Sequence, residues 1–197
     1  MLSSIPLKVN MMRNNRDSVI ASLKKFEWNE IISKINRLDD LNDRQWRFAK
    51  GLVVELIVEK HSGPDGLKYV GEDHKDYDWP KYDISVELKS MTSSTMYGKK
   101  GNLHKSYNIK FNNSNGTNKK IKLDFSEVAD ILLVVKNDGA FVVDKQTVID
   151  RGVSTGDGFD VKLKRTDIIE ITGKIEVSKQ KSLNIKSRLL NAIKRVI

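Results

Sequence analysis

The segment Tyr82-Asp83-Ile84-Ser85-Val86-Glu87-Leu88-Lys89-Ser90 anchors the reading of the chain on either side of it. Apolar and polar residues alternate through it, which is the period of a strand with side chains on opposite faces. Ile84, Val86 and Leu88 then enter a core, while Ser85, Glu87 and Lys89 share the other face. Acids crowd just upstream, at Glu72, Asp73, Asp76 and Asp78. A carboxylate and an ammonium alternating on one strand face, near further carboxylates, can hold Mg²⁺ beside a phosphate.

Spacing decides which aspartate can join Glu87. Asp83 lies on the same strand, about 13 Å away at roughly 3.3 Å per residue, too far to share an ion without a bulge. Asp76 or Asp78 instead returns through the Trp79-Pro80-Lys81 turn and lies across a hairpin from Glu87. Proline suits that turn. Asp76 and Asp78 both remain candidates.

Outward from this hairpin the chain reads as one α/β domain over 1–197, with a mixed central sheet flanked by helices. Helical periodicity runs over 18–34 and 42–60. In the second helix Trp46, Ala49, Leu52, Val53, Leu56 and Ile57 form an apolar stripe, Asn42 or Asp43 is the expected cap, and Ser62-Gly63-Pro64-Asp65-Gly66 ends it. Strands are expected over 67–70, up to Lys89, and over 106–111. Residues 112–118 (NNSNGTN) read as a polar turn or loop. The continuous apolar run 131–135 reads as a buried strand, and Asn137-Asp138-Gly139 as a hairpin into 140–143. A helix is expected over 147–150, mixed structure over 161–171, and a basic amphipathic helix over about 183–197. There is no internal repeat and no clear linker.

Composition narrows the partners. The chain has 197 residues, 39% hydrophobic and 31% charged, enough for a real core. No apolar run approaches the roughly 20 residues that span a bilayer, and residues 1–15 lack the features of a signal peptide. No membrane role is expected. The absence of cysteine fits the cytoplasm and excludes thiolate metal sites, and three scattered histidines (His61, His74, His104) argue against a zinc enzyme. The formal net charge of +9 points to acidic polymers rather than a small-molecule substrate. Lys99, Lys100, Lys105, Lys110, Lys119, Lys120 and Lys122 follow the candidate strand, and a second basic cluster runs from Lys174 to Arg195.

Asp76 or Asp78 followed by Glu87-Leu88-Lys89 resembles the motif of the PD-(D/E)xK nuclease superfamily. The strings Gly71-Glu72-Asp73-His74-Lys75-Asp76 and Val86-Glu87-Leu88-Lys89-Ser90 look like those of PvuII-type restriction endonucleases, and the second also resembles that of MutH-type mismatch-repair nickases. The first likeness favours Asp76 and the second Asp78. Neither aspartate follows a proline, a departure from the motif's first position. The resemblance spans about 46–145 and implies a restriction-endonuclease-like core over about 42–145. It implies a type II site-specific deoxyribonuclease acting on double-stranded DNA as a homodimer. Asp76 or Asp78 and Glu87 would hold Mg²⁺, with Mn²⁺ able to substitute, and Lys89 would assist the attacking water. Glu55, set within Val53-Val54-Glu55-Leu56-Ile57, matches a helix glutamate that reaches the site in several members.

The main-chain carbonyl of Leu88 is an adjacent hard oxygen and a further candidate ligand. Ser93, Ser94, Tyr97, Lys99, His104 and Lys105 are candidate DNA contacts, since their side chains can meet phosphates or base edges. The C-terminal helix can track a DNA backbone, or use Leu183, Ile185, Leu189, Leu190 and Ile193 for core or dimer packing. Two other readings stay open. One is a repair nickase or junction resolvase of the same superfamily. The other is a non-catalytic basic DNA-binding module in which Glu87 and Lys89 form a plain strand salt bridge.

Overall fold

The computed structural model describes residues 15–41, 46–72, 75–91, 96–97, 104–105, 107–112, 128–155, 158–176 and 184–194. Their helices are α1 (15–23), α2 (Trp28–Asn36), α3 (Arg47–Ser62), α4 (Lys145–Arg151) and α5 (Ile185–Lys194). The strands are β1 (Lys68–Glu72), β2 (Lys75–Trp79), β3 (Ile84–Met91), β4 (Met96–Tyr97), β5 (His104–Lys105), β6 (Tyr107–Asn112), β7 (Ile131–Lys136), β8 (Gly139–Asp144), β9 (Gly152–Thr155), β10 (Gly158–Leu163) and β11 (Ile169–Glu170).

An unbroken apolar run such as Ile131 to Val135 is stable only where both faces of the strand are covered. β7 has that environment. It sits inside a six-stranded sheet of order β1-β2-β3-β7-β8-β11, parallel to β3 and antiparallel to β8. The fold is therefore α/β with a mixed sheet flanked by helices. On one face, Val86, Leu88, Ile131, Leu133, Val135, Ala140 and Val142 pack against α1, α2 and α3. On the other, Leu132, Val134, Phe141 and Val143 pack against α4 and the small antiparallel sheet β6-β10-β9. β4 and β5 form a separate two-stranded ribbon, with Tyr97 opposite His104 and Met96 opposite Lys105.

The hairpin read at Asn137-Asp138-Gly139 joins β7 to β8. Gly139 has φ 156°, and a Cβ there would lie 2.8 Å from Thr172 Oγ1, so no larger residue fits. Gly63, at φ 78°, ends α3 where the Ser62–Gly66 stretch was expected to end it. α5 falls within the expected 183–197 helix. Ile185 packs on the helical side of the core, and the Lys186 N–H donates to Asp40 Oδ2 at 3.1 Å. Leu190 stays exposed. No helix among the described residues is long and apolar enough to cross a membrane.

Two expectations need correction. The helix expected over 18–34 is two helices, because the chain turns at 24–27 to bury aromatic rings. Phe26 and Trp28 stack at 5.8 Å, Phe26 lies 6.0 Å from Trp79, and Trp28 Nε1 donates to the Leu23 carbonyl at 2.7 Å. Each buried ring removes roughly 150–250 Å² from water, which outweighs a few helical hydrogen bonds. The apolar stripe of α3 is also rotated from its expected phase. The buried residues are Lys50, Val54 and Val58, with Trp46, Val53 and Ile57 half-buried against the core. Leu52 and Leu56 are about half exposed, and Phe48 is 86% exposed. Apolar residues nearly encircle this helix, so periodicity alone leaves its rotation open. Contact with the sheet sets it: Gly51 faces β3, where an added Cβ would stand 4.0 Å from Ser90 Oγ. The expected cap, Asn42 or Asp43, lies outside the described residues.

Candidate active site

β3 presents its two sets of side chains as the alternation requires. Ile84, Val86 and Leu88 are buried in the helical half of the core. Glu87 and Lys89 stand opposite Leu132 and Val134 of β7, on the other face. The base of this parallel pair is pinned by a contact not anticipated from the sequence. Ser85 donates its N–H and its hydroxyl to Asp130 Oδ2 at 3.0 and 2.8 Å, and the Asp130 N–H donates to Ser85 Oγ at 3.0 Å. Only the position of Asp130, immediately before an apolar run, hinted at it.

Across the antiparallel β2–β3 pair, Tyr77 faces Val86 and Asp78 faces Ser85. One step further places Asp76 beside Glu87. The ladder stops at Tyr77, and the Leu88 N–H beyond it donates to Asp76 Oδ2 at 3.2 Å. A side-chain carboxylate thus replaces a missing ladder acceptor. Lys89 Nζ lies 4.0 Å from Asp76 Oδ2 and in direct contact with Glu87 Oε1. The structure therefore gathers Asp76, Glu87 and Lys89. It sets Asp78 one pair further along, exposed and flanked by Lys68 of β1 and Ser85 of β3. Asp83 sits in the turn before β3 at φ 50°.

Glu87 is 2% exposed, and its Oε2 is buried without a hydrogen-bond partner. An orphaned carboxylate oxygen in a protein interior is costly unless a cation completes it. Burial pushes the Glu87 carboxyl up to about 7, opposed by Lys89 and reinforced by Asp76. Glu55, half-buried on α3, is also raised to about 7, by burial and then by Asp76, with Lys89 pulling it down. These couplings put Glu55 within the electrostatic field of Asp76 and Lys89. Burial pulls the Lys89 ammonium down, but Glu87, Asp76 and Glu55 more than offset this and raise it, so it stays charged at neutral pH. Burial, then Glu55 and Glu59, hold the Tyr77 hydroxyl protonated.

Among the described residues no group of three or more His, Asp or Glu side chains is gathered closely enough to hold a metal by itself. Asp76 and Glu87 form a two-carboxylate set with one unsatisfied oxygen. That set fits Mg²⁺, which keeps several waters and is commonly bound through one or two carboxylates plus substrate phosphate. Leu88 contributes its N–H to Asp76, and this leaves its carbonyl as the atom considered for a metal. Of the candidate DNA contacts, Ser93, Ser94 and Lys99 lie outside the described residues, while Tyr97, His104 and Lys105 belong to the β4–β5 ribbon.

The raised carboxyls make stability depend on pH. Between about 4.5 and 7 the folded protein keeps protons on Glu55 and Glu87 that the unfolded chain has already lost. Stability therefore falls as pH rises through that window. In EDTA, thermal unfolding is expected at lower temperature at pH 8 than at pH 5, and Glu87→Gln should remove up to about 3 kcal/mol of that difference. An equal pH dependence in wild type and Glu87→Gln would contradict the assignment.

Compared with family models, curated proteins and solved structures, the chain shows no significant match.

Proposed function

We propose that this protein is a Mg²⁺-dependent endonuclease that hydrolyses phosphodiester bonds of double-stranded DNA, of the site-specific, homodimeric restriction type. The observation that carries the reading is the Asp76–Glu87–Lys89 cluster, with Glu87 Oε2 buried and unpartnered beside a charged lysine. Asp76 and Glu87 would hold the cation, with Mn²⁺ as a substitute and the Leu88 carbonyl as a further oxygen. The bound ion would supply positive charge at the phosphate and lower the pKa of water. Lys89, charged and about a third exposed, would orient the attacking water and stabilise charge building on the phosphate oxygens. Glu55, with a pKa near 7, can take up or release a proton at neutral pH. The restriction-endonuclease-like core belongs to the same proposal, and the parallel β3–β7 pair beside an antiparallel β2 supports it.

The net charge of +9 suits a polyanion. A two-stranded ribbon such as β4–β5 has dimensions that B-DNA's major groove admits, and it carries Tyr97, His104 and Lys105. Site specificity and the homodimer rest on the motif's resemblance, since cutting both strands of a palindrome takes two sites related by a two-fold axis. Affinity for duplex DNA in Ca²⁺ should fall with salt at a log–log slope of about −0.9 per neutralised phosphate. A salt-independent affinity would remove DNA phosphate as the partner. Strand-resolved mapping of the products tests the reaction. Paired cuts at one sequence support the restriction reading, and single nicks or junction-only cleavage move it to a nickase or resolvase. Binding without cleavage leaves a non-catalytic DNA-binding module.

A further inference from the structure

We propose that the Lys89 ammonium is a built-in occupant of the cation position, standing between Asp76 and Glu87 until a divalent ion displaces it. This rests on the nuclease reading above and adds a competition that the reading does not require. Lys89 Nζ contacts Glu87 Oε1 and lies 4.0 Å from Asp76 Oδ2, so one cationic head bridges the two carboxylates that would ligate the metal. Both acids sit where β2 leaves the β3 ladder, and one of them is almost wholly buried. Without a positive charge between them they would repel in a site poor in water. The ammonium relieves this incompletely, because Glu87 Oε2 is left without a partner.

A divalent ion coordinating oxygens at about 2.0–2.1 Å cannot share this space with an ammonium. Lys89 is suited to leave. Its side chain is 31% exposed, and the ammonium ends a flexible four-carbon stem. Swung outward from the face shared with Glu87, it points to the open side of the site, where a phosphate would lie. Loading of the site and presentation of the lysine to substrate are then one event. The protein keeps its carboxylates neutralised when it is empty and exposes a charged donor only when it is loaded.

The test uses the full chain without DNA, titrated with Mn²⁺ by calorimetry as wild type, Lys89→Met and Lys25→Met. Lys25, exposed between α1 and α2, controls for the loss of one unit of net charge. Lys89→Met is expected to bind Mn²⁺ at least tenfold more tightly than wild type, with Lys25→Met unchanged. Wild-type binding that Lys89→Met does not tighten, or equal tightening in both variants, overturns the displacement while leaving the metal site standing. Absence of Mn²⁺ binding in all three proteins overturns the metal site, and the displacement with it. A second readout needs no variant. Acetylation of Lys89 in the wild type, followed by mass spectrometry, should speed up several-fold on adding Ca²⁺. A rate unchanged or slowed by Ca²⁺ contradicts the outward swing.

Discussion

Lys89→Ala is expected to lower Mg²⁺-dependent DNA cleavage by about 10³-fold, the loss typical of removing one preorganised donor from a charge-stabilising site. Folding and DNA binding should stay near wild type. Lys89 is not part of the apolar core, and its neighbours Leu88 and Val134 form the core contacts without it. Glu87 loses its counter-charge in this variant, so its carboxyl should titrate at still higher pH. If the lysine also competes with the metal, the variant should bind divalent ions more tightly while cutting more slowly. That opposite movement separates a role at the phosphate from a role in holding the metal. Cleavage by Lys89→Ala at close to the wild-type rate would remove the lysine from the mechanism.

Asp76→Asn is expected to cost cleavage about as much, on the order of 10²–10³-fold, because a neutral amide cannot replace a carboxylate on Mg²⁺. Asp78→Asn should stay within about threefold of wild type, the range of a surface substitution away from the site. Asp78 is exposed, and its cross-strand neighbours are Lys68 and Ser85 rather than Glu87. Asp83→Asn should be tolerated at least as well. Residue 83 has φ 50°, a backbone region that asparagine enters readily. The measurement is single-turnover cleavage at saturating Mg²⁺ with all three variants. A larger loss for Asp78→Asn than for Asp76→Asn would mean that the β2–β3 register differs from the one described.

Much of the site was legible because strand period is unambiguous over Ile84 to Lys89. Three apolar residues alternating with Ser85, Glu87 and Lys89 leave one way to turn the strand toward a core. The β7–β8 hairpin was legible for a similar reason, an apolar run ended by Asn137-Asp138-Gly139. The choice between Asp76 and Asp78 was not. Both point to the same face of β2, and only the register pairing Tyr77 with Val86 separates them. Helix rotation was least legible. α3 carries Phe48, Leu52 and Leu56 on its exposed side and Val54 and Val58 on its buried side, so hydrophobicity gave no single phase. Its packing on β3, with Gly51 toward Ser90, supplied the phase. The break between α1 and α2 depended on Trp79, more than fifty positions away, and local periodicity holds no trace of it.

Metal-dependent hydrolysis is tested by incubating long duplex DNA with the purified full chain in Mg²⁺, beside EDTA and Lys89→Ala. Discrete fragments are expected in Mg²⁺ and should disappear in both controls. Intact DNA in Mg²⁺ across several substrates, with binding retained, would contradict it.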